Sequence, residues 1–190
     1  MTQQDSESLP QPLPEAKEWP RGCVQVYTGE GKGKTTAAIG MAVRAAGRGM
    51  HTFIGQFMKG RNYGELHALR RFPEITLEQF GDPGWVYRDK LKPHQIEQAR
   101  AGLARGRAVL AAGQHQIVVL DEINMAIWFG LIALEDVLDL IDHKPPQIEL
   151  VLTGRRAHEA VIARADLVTE MREIKHTYQV NIPARYGIEH

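Results

Sequence analysis

Apolar residues fall into short runs separated by polar, glycine-containing segments, a pattern that alternates strand with helix along most of the chain. The run CVQVY, residues 23–27, enters a glycine-rich turn, and residues 35–46 favour helix through their many alanines. A second strand is predicted over 52–58, followed by the polar loop KGRNYGE, a short helix near 66–71 and a third strand over 75–80. Pro93 opens a long helix in which Ile96, Ala99, Leu103, Gly106 and Leu110 share one face and Gly113 is the stop. Arg100, Arg105 and Arg107 on that helix then need no ligand. Residues 117–120 are continuously apolar, as a strand buried on both faces of a parallel sheet requires, and they run into Asp121 and Glu122. A helix over 134–142, the breaker Pro145-Pro146 and an apolar strand over 148–152 come next. Residues 165–171 and 176–182 read as closing strands. The repeating β-α order predicts an α/β fold: a mostly parallel sheet, joined by right-handed crossovers and flanked by helices.

Composition narrows the picture without changing it. At 190 residues the chain suits a single domain, placed at 21–190, with no internal repeat. The first twenty residues carry Pro10, Pro12, Pro14 and Pro20 and lack the apolar core of a secretory signal, so they read as a flexible extension. No stretch approaches the roughly 20 apolar residues of a membrane span, and no membrane partner is expected. Basic and acidic side chains balance at 23 each, so net charge lends no support to nucleic-acid binding. Cys23 is the one cysteine, so it cannot form an intrachain disulfide and reads as a buried thiol, with a cytoplasmic location expected.

The chemistry is concentrated after the first strand. TGEGKGKTT, residues 28–36, places Gly29, Gly31 and Gly33 so that the backbone can bend tightly and turn N–H groups inward. Glu30 and Lys32 lie between these glycines. The helix that follows adds its positive dipole end, Lys34 adds a point charge, and the Thr35 hydroxyl, beside Thr36, can reach a magnesium ion held by phosphates. Such a loop identifies a P-loop NTPase-like, RecA-like ATP binder. The usual G-x-x-x-x-G-K-[ST] spacing would put its first glycine at Thr28, so this loop is a variant. Asp121 and Glu122, at the end of an apolar strand, stand where a Walker-B acid would serve the metal, and the sequence leaves open which one binds directly.

With VYTGEGKGKTTAAIG, QFMKGRNYGE, VVLDEI, LTGRRAHEAVIARADLVTEMREIKH and the terminal GIEH, the chain resembles the P-loop ATP:corrinoid adenosyltransferases over about residues 22–190. A generic ATPase would share only the first and third of these blocks. The resemblance implies transfer of adenosyl from ATP to the Co(I) state of a corrinoid, cob(I)alamin or cob(I)yrinic acid a,c-diamide, with cobalt attacking the ribose 5′ carbon and intact triphosphate leaving. Family members hold ATP in reversed polarity across the loop, which suits a variant cradle. By position, the resemblance makes residues 29–36 phosphate binders, Arg44 a nucleotide contact, and Asp121 or Glu122 the partner of Mg2+ (or Mn2+). It makes Trp85 and Tyr87 the aromatic pair beneath the corrin. Arg155, Lys175 and His176 become candidates for the triphosphate or the corrin amides. A homodimer, a flavoprotein electron donor and a role in adenosylcobalamin biosynthesis or corrinoid salvage are implied as well.

Two other readings stand beside it. A RecA-like ATPase would use the same cradle to direct water at the γ-phosphorus, and a nucleotide-controlled binding module would consume no ATP.

Overall fold

The computed structural model describes residues 21–84 and 86–188. The extension expected over 1–20, and Trp85, lie outside the described residues. In chain order the elements are β1 (Val24–Thr28), α1 (Lys34–Ala46), β2 (Thr52–Phe57), α2 (Gly64–Leu69), β3 (Ile75–Phe80) and α3 (Pro93–Ala112). They continue with β4 (Ile117–Asp121), α4 (Ile123–Phe129), α5 (Leu134–Asp142), β5 (Glu149–Thr153), α6 (Glu159–Ile162) and β6 (Leu167–Glu170).

The strands form one six-stranded sheet in the order β3-β2-β4-β5-β1-β6, with every pairing parallel. This is the α/β, P-loop NTPase-like architecture that the alternating pattern predicts. Strands β2, β4 and β5 are buried at every position, which is why their sequences are continuously apolar or carry polar groups that, the Thr52 hydroxyl apart, have internal partners. β5 lies between β1 and β4. Residues at the carboxyl ends of β1, β2, β4 and β5 therefore meet along one edge of the sheet, where open α/β sheets bind ligands.

A core lies on each face. Ala38, Ala42 and Ala45 of α1 pack with Ile54, Val119 and Val151, and the small alanine side chains let the helix lie close to the sheet. On the other face Leu103 and Leu110 of α3 and Val137 and Leu140 of α5 join Phe57, Val118, Leu120, Leu150 and Leu152. At the crossing of α3 the contact is too close for a side chain: a Cβ on Gly102 would stand 2.7 Å from Cγ of Phe80 and 2.9 Å from Cε1 of Phe57.

Several expectations need correction. The segment 176–182 is not a strand but holds a 3-10 turn over Thr177–Val180. The His176 ring accepts a hydrogen bond from the Tyr178 N–H at 3.1 Å, and Asn181 closes the turn in the left-handed region at φ 56°, so the extended backbone of a strand is lost. Cys23 is half-buried rather than buried, because the chain enters the sheet only at Val24. Helices α4 and α6 are short and were not legible in the pattern, and the strand expected over 165–171 is the shorter β6.

The two helical glycines Gly102 and Gly40 yield opposite expectations. Gly102→Ala should destabilise the fold by about 1–3 kcal/mol, since the overpacking against Phe57 and Phe80 outweighs the gain in helix propensity. Gly40 of α1 is exposed with nothing within 4 Å of its added Cβ, so Gly40→Ala should stabilise by up to about 1 kcal/mol. Chemical denaturation midpoints moving in the same direction for both variants would contradict this packing.

Candidate functional site

The turn from β1 to α1 is shaped by glycines at two kinds of position. Gly29 (φ 93°) and Gly33 (φ 119°) occupy backbone conformations that L side chains rarely adopt. Gly31 is required by proximity instead: its N–H donates to the Met171 carbonyl at 2.6 Å, and a Cβ there would stand 2.7 Å from that oxygen. The stretch just after β6 thus backs the loop, and the Met171 N–H is itself held by the Thr28 carbonyl at 2.8 Å.

Lys34, the first residue of α1, is 6% exposed. Its Nζ donates to the carbonyls of Gly29 at 2.6 Å and Gly31 at 2.7 Å, so the loop wraps around the ammonium. Burial, aided by the positive charge of Arg155, pushes the Lys34 ammonium below its ordinary value against the pull of Glu122, Glu30 and Asp121.

Beside the loop lies a polar network centred on Asp121, which is 1% exposed at the end of β4. Its Oδ1 accepts from the Thr35 hydroxyl at 2.9 Å and the Thr153 hydroxyl at 2.7 Å. Its Oδ2 accepts from Lys59 Nζ at 2.8 Å and Gln56 Nε2 at 3.3 Å. Lys59 also approaches Thr35 Oγ1 at 3.5 Å and Glu65 at 3.8 Å. Burial alone would lower the Lys59 ammonium, but the adjacent Asp121 charge and hydrogen bond, with Glu65 and Glu122, hold it above its ordinary value.

Glu122 follows directly, in the left-handed region at φ 63°, with its N–H donating to Thr153 Oγ1 at 2.9 Å. That turn separates the two acids: Asp121 faces the network while Glu122 faces a cavity. Burial, and then the Asp121 charge, push the Glu122 carboxyl above the usual range despite Lys59, Lys34 and Arg155. Met58, Glu122 and Arg156 all have positive φ and all lie just beyond strand ends on this edge of the sheet, which is where strain tends to collect at sites.

The cavity measures about 460 Å³ and is lined by residues 31–36 together with Lys59, Tyr63, Glu65, Glu122, Arg155, His176 and Ile188 among others. Of the expected site residues, Gly31, Lys32, Gly33, Lys34, Thr35, Thr36, Glu122, Arg155 and His176 therefore come together on one wall or another. Gly29 does not line the cavity, and Glu30 pairs with Arg155 at 3.4 Å and Arg156 at 3.9 Å. Asp121 lies under the cavity floor, reached through Thr35. Arg44 is not brought to the cavity: it is exposed in the last turn of α1, about 15 Å along the axis from Lys34. Tyr87 is 60% exposed and lines no part of the cavity, and Lys175 is exposed as well.

Sequence reasoning assigned no role to Lys59, Tyr63, Glu65, Gln56 or Thr153. The available signal was position: Gln56 and Lys59 flank the end of β2, and Thr153 ends β5, so both strands deliver polar groups to the carboxyl edge that binds ligands.

The arrangement can hold a polyphosphate against Lys34 and the loop. The Thr35 hydroxyl and the Asp121 and Glu122 carboxylates beside it are oxygen groups of the kind that magnesium takes. Among the described residues no group of three or more His, Cys, Asp or Glu suited to a metal occurs. One hydroxyl, one or two carboxylates and phosphate oxygens are the set that magnesium takes in nucleotide sites.

Comparison with known proteins agrees with the geometry. Residues 20–190 match the family model described as ATP:corrinoid adenosyltransferase BtuR/CobO/CobP. A corrinoid adenosyltransferase of Pseudomonas aeruginosa is 38% identical over 170 residues, covering 89% of this chain and 84% of that one. Those of Escherichia coli K12 and Salmonella typhimurium are 32% and 33% identical over 171 residues, covering 90% of this chain and 86% of each relative. With nine-tenths of its length matched, the chain belongs to the ATP:corrinoid adenosyltransferase family.

Proposed function

We propose that the protein transfers the 5′-deoxyadenosyl group of ATP to the Co(I) centre of a reduced corrinoid and releases triphosphate, in adenosylcobalamin biosynthesis or corrinoid salvage. The observation that carries this reading, beside family membership, is the packing of the C-terminal block onto the phosphate loop. Gly31 is held by Met171, Lys32 Nζ reaches the Ile188 carbonyl at 3.4 Å, and His176 lines the cavity. A phosphate loop alone serves many ATPases, whereas this block belongs to the part of the chain that sets the family apart.

In the reaction the cobalt electron pair forms the bond to C5′ while the C5′–O bond breaks and its electron pair goes to the departing triphosphate. Charge therefore grows on the leaving group. The phosphate loop, the Lys34 ammonium and Arg155 line the cavity and would stabilise that charge. Mg2+ (or Mn2+), when bound, would neutralise part of the same charge. Thr35 with Asp121 or Glu122 would hold it. No protein nucleophile is needed. Trp85 and Tyr87, on the segment between β3 and α3, would serve the corrinoid face. A flavoprotein electron donor, a homodimer and a cytoplasmic location belong to the same reading and rest on family membership alone.

Incubated with ATP, Mg2+ and chemically reduced corrinoid, the enzyme should yield a light-sensitive adenosylated product and triphosphate in equal amounts. Lys34→Ala should lower kcat/KM by on the order of a hundredfold or more while the fold persists. Release of ADP and phosphate, independent of corrinoid, would instead establish attack by water at the γ-phosphorus.

The Glu122 carboxyl yields a separate expectation. Because its affinity for a proton is higher in the folded state, its contribution to stability is fully present below the ordinary carboxylate range and is lost as pH rises through its folded value. Glu122→Gln removes that loss. Without nucleotide or metal, the variant should melt above the parent at neutral pH, and the difference should shrink as pH falls toward about 4. Thermal melts across that range showing a constant or reversed difference would remove Glu122 from its desolvated position.

A further inference from the structure

Asp121 is saturated as it stands. An ionised carboxylate offers about four lone-pair positions, and here four donors occupy them: Thr35, Thr153, Gln56 and Lys59. A divalent cation cannot approach this acid without disturbing one of the four. Three are neutral and anchored, Thr35 in the first turn of α1, Thr153 at the end of β5 and Gln56 at 0% exposure within β2. The fourth differs in both respects.

Lys59 carries a positive charge on a flexible stem and belongs to the segment beyond β2, after the left-handed turn at Met58. Its ammonium stands 2.8 Å from Asp121 Oδ2, 3.5 Å from Thr35 Oγ1 and 3.8 Å from Glu65 Oε1. Thr35, which would help hold a magnesium ion, therefore shares its surroundings with this ammonium. An ammonium and a divalent ion both within a few ångström of one carboxylate repel each other strongly where water is excluded. Lys59 has somewhere to go, since its side chain is 18% exposed and lines the same cavity as Lys34.

We infer that Lys59 is the resident counter-cation of Asp121, a positioning residue that yields its place to the divalent cation entering with ATP and turns to the triphosphate. This rests on the reading of Thr35 and Asp121 as the metal-side groups. The exchange keeps Asp121 neutralised in the empty enzyme and makes free metal a poor ligand for it. Metal binding becomes conditional on the nucleotide, whose phosphates supply the missing oxygen ligands and an alternative partner for the ammonium. When triphosphate departs with its metal, Lys59 returns to Asp121.

The test is Mn2+ binding, followed by loss of the free-ion EPR signal, with and without ATP and with no corrinoid present. Without nucleotide, Lys59→Met should bind Mn2+ tighter than the parent by on the order of tenfold or more. Lys59→Arg, which keeps the cation, should restore weak binding, and Asp121→Asn added to Lys59→Met should abolish the gain. A gain in metal affinity is not what a merely structural lysine would produce on removal. Equal affinity of Lys59→Met and the parent without ATP overturns the inference, and Lys59→Gln provides the same comparison if the methionine variant does not fold. If ATP-dependent Mn2+ binding in the parent is indifferent to Thr35→Val and Asp121→Asn, the metal reading itself falls and the inference with it. Sensitivity to those two changes without any effect of Lys59 leaves the metal reading standing and rejects the exchange alone.

Discussion

The site depends on one buried carboxylate and the separate elements that satisfy it. Asp121 receives hydrogen bonds from the first turn of α1, from within β2, from the segment after β2 and from the end of β5. No two of these donors are adjacent in sequence. They converge because a parallel sheet delivers every strand's carboxyl end to the same edge, and because β4 lies between β2 and β5. An unsatisfied charge at that depth would be far more costly than any single bond in the network is favourable, so the four donors and the strand order specify one another. The phosphate loop is thereby tied to the acidic strand through Thr35 before any ligand binds.

The loop is supported from its other side by chain that comes much later. Met171 and Arg172, just past β6, lie so close to Gly29 and Gly31 that no side chain could be accommodated at either position. Gly29 therefore serves two ends, a φ of 93° that L side chains rarely adopt and room for the C-terminal block, while Gly31 serves the second by letting that block press against the loop. Glu30, between them, pairs with Arg155 and Arg156 from the turn after β5. Arg156 in turn stacks at 4.6 Å on Trp128 of α4, which Arg88 covers at 4.9 Å. A path of direct contacts runs from the phosphate loop to the segment between β3 and α3.

Much of this was readable from the sequence because it is repetitive or local. Short, largely apolar runs such as 117–120 and 148–152, bounded by turn residues, read as buried strands, and a glycine-rich turn followed by Lys-Thr-Thr carries its mechanism in consecutive residues. What was not readable depends on tertiary approach. Lys59, in the polar loop KGRNYGE, looks like a solvated side chain until Asp121 is placed beside it. Thr153 reads as the last residue of a strand and proves to bridge the two acids, accepting from Glu122 and donating to Asp121. The error at 176–182 has the same origin, since alternating apolar residues there suggest a strand, but the local hydrogen bond from Tyr178 to His176 bends the chain where no sheet edge is paired. Arg44 lies on the helix that follows the loop, yet helical rise carries it away from the loop's mouth.

Charge at the cavity is mixed. Lys32, Lys34, Lys59 and Arg155 face it or border it, and Glu30, Glu65, Asp121 and Glu122 stand within the same network. Cations and acids are thus interleaved before anything binds, with Arg156 also beside Glu30. A cradle with a large positive excess would bind free phosphates and release triphosphate slowly, whereas a balanced one gains most from a ligand that brings its own counter-charge. ATP with a divalent cation meets that condition better than ATP alone. In the empty site the network closes on itself, with Lys59 on Asp121 and Lys34 on the carbonyls of Gly29 and Gly31. The hydrogen bonds that hold the empty loop in shape thus occupy the cations that a bound phosphate would have to draw on.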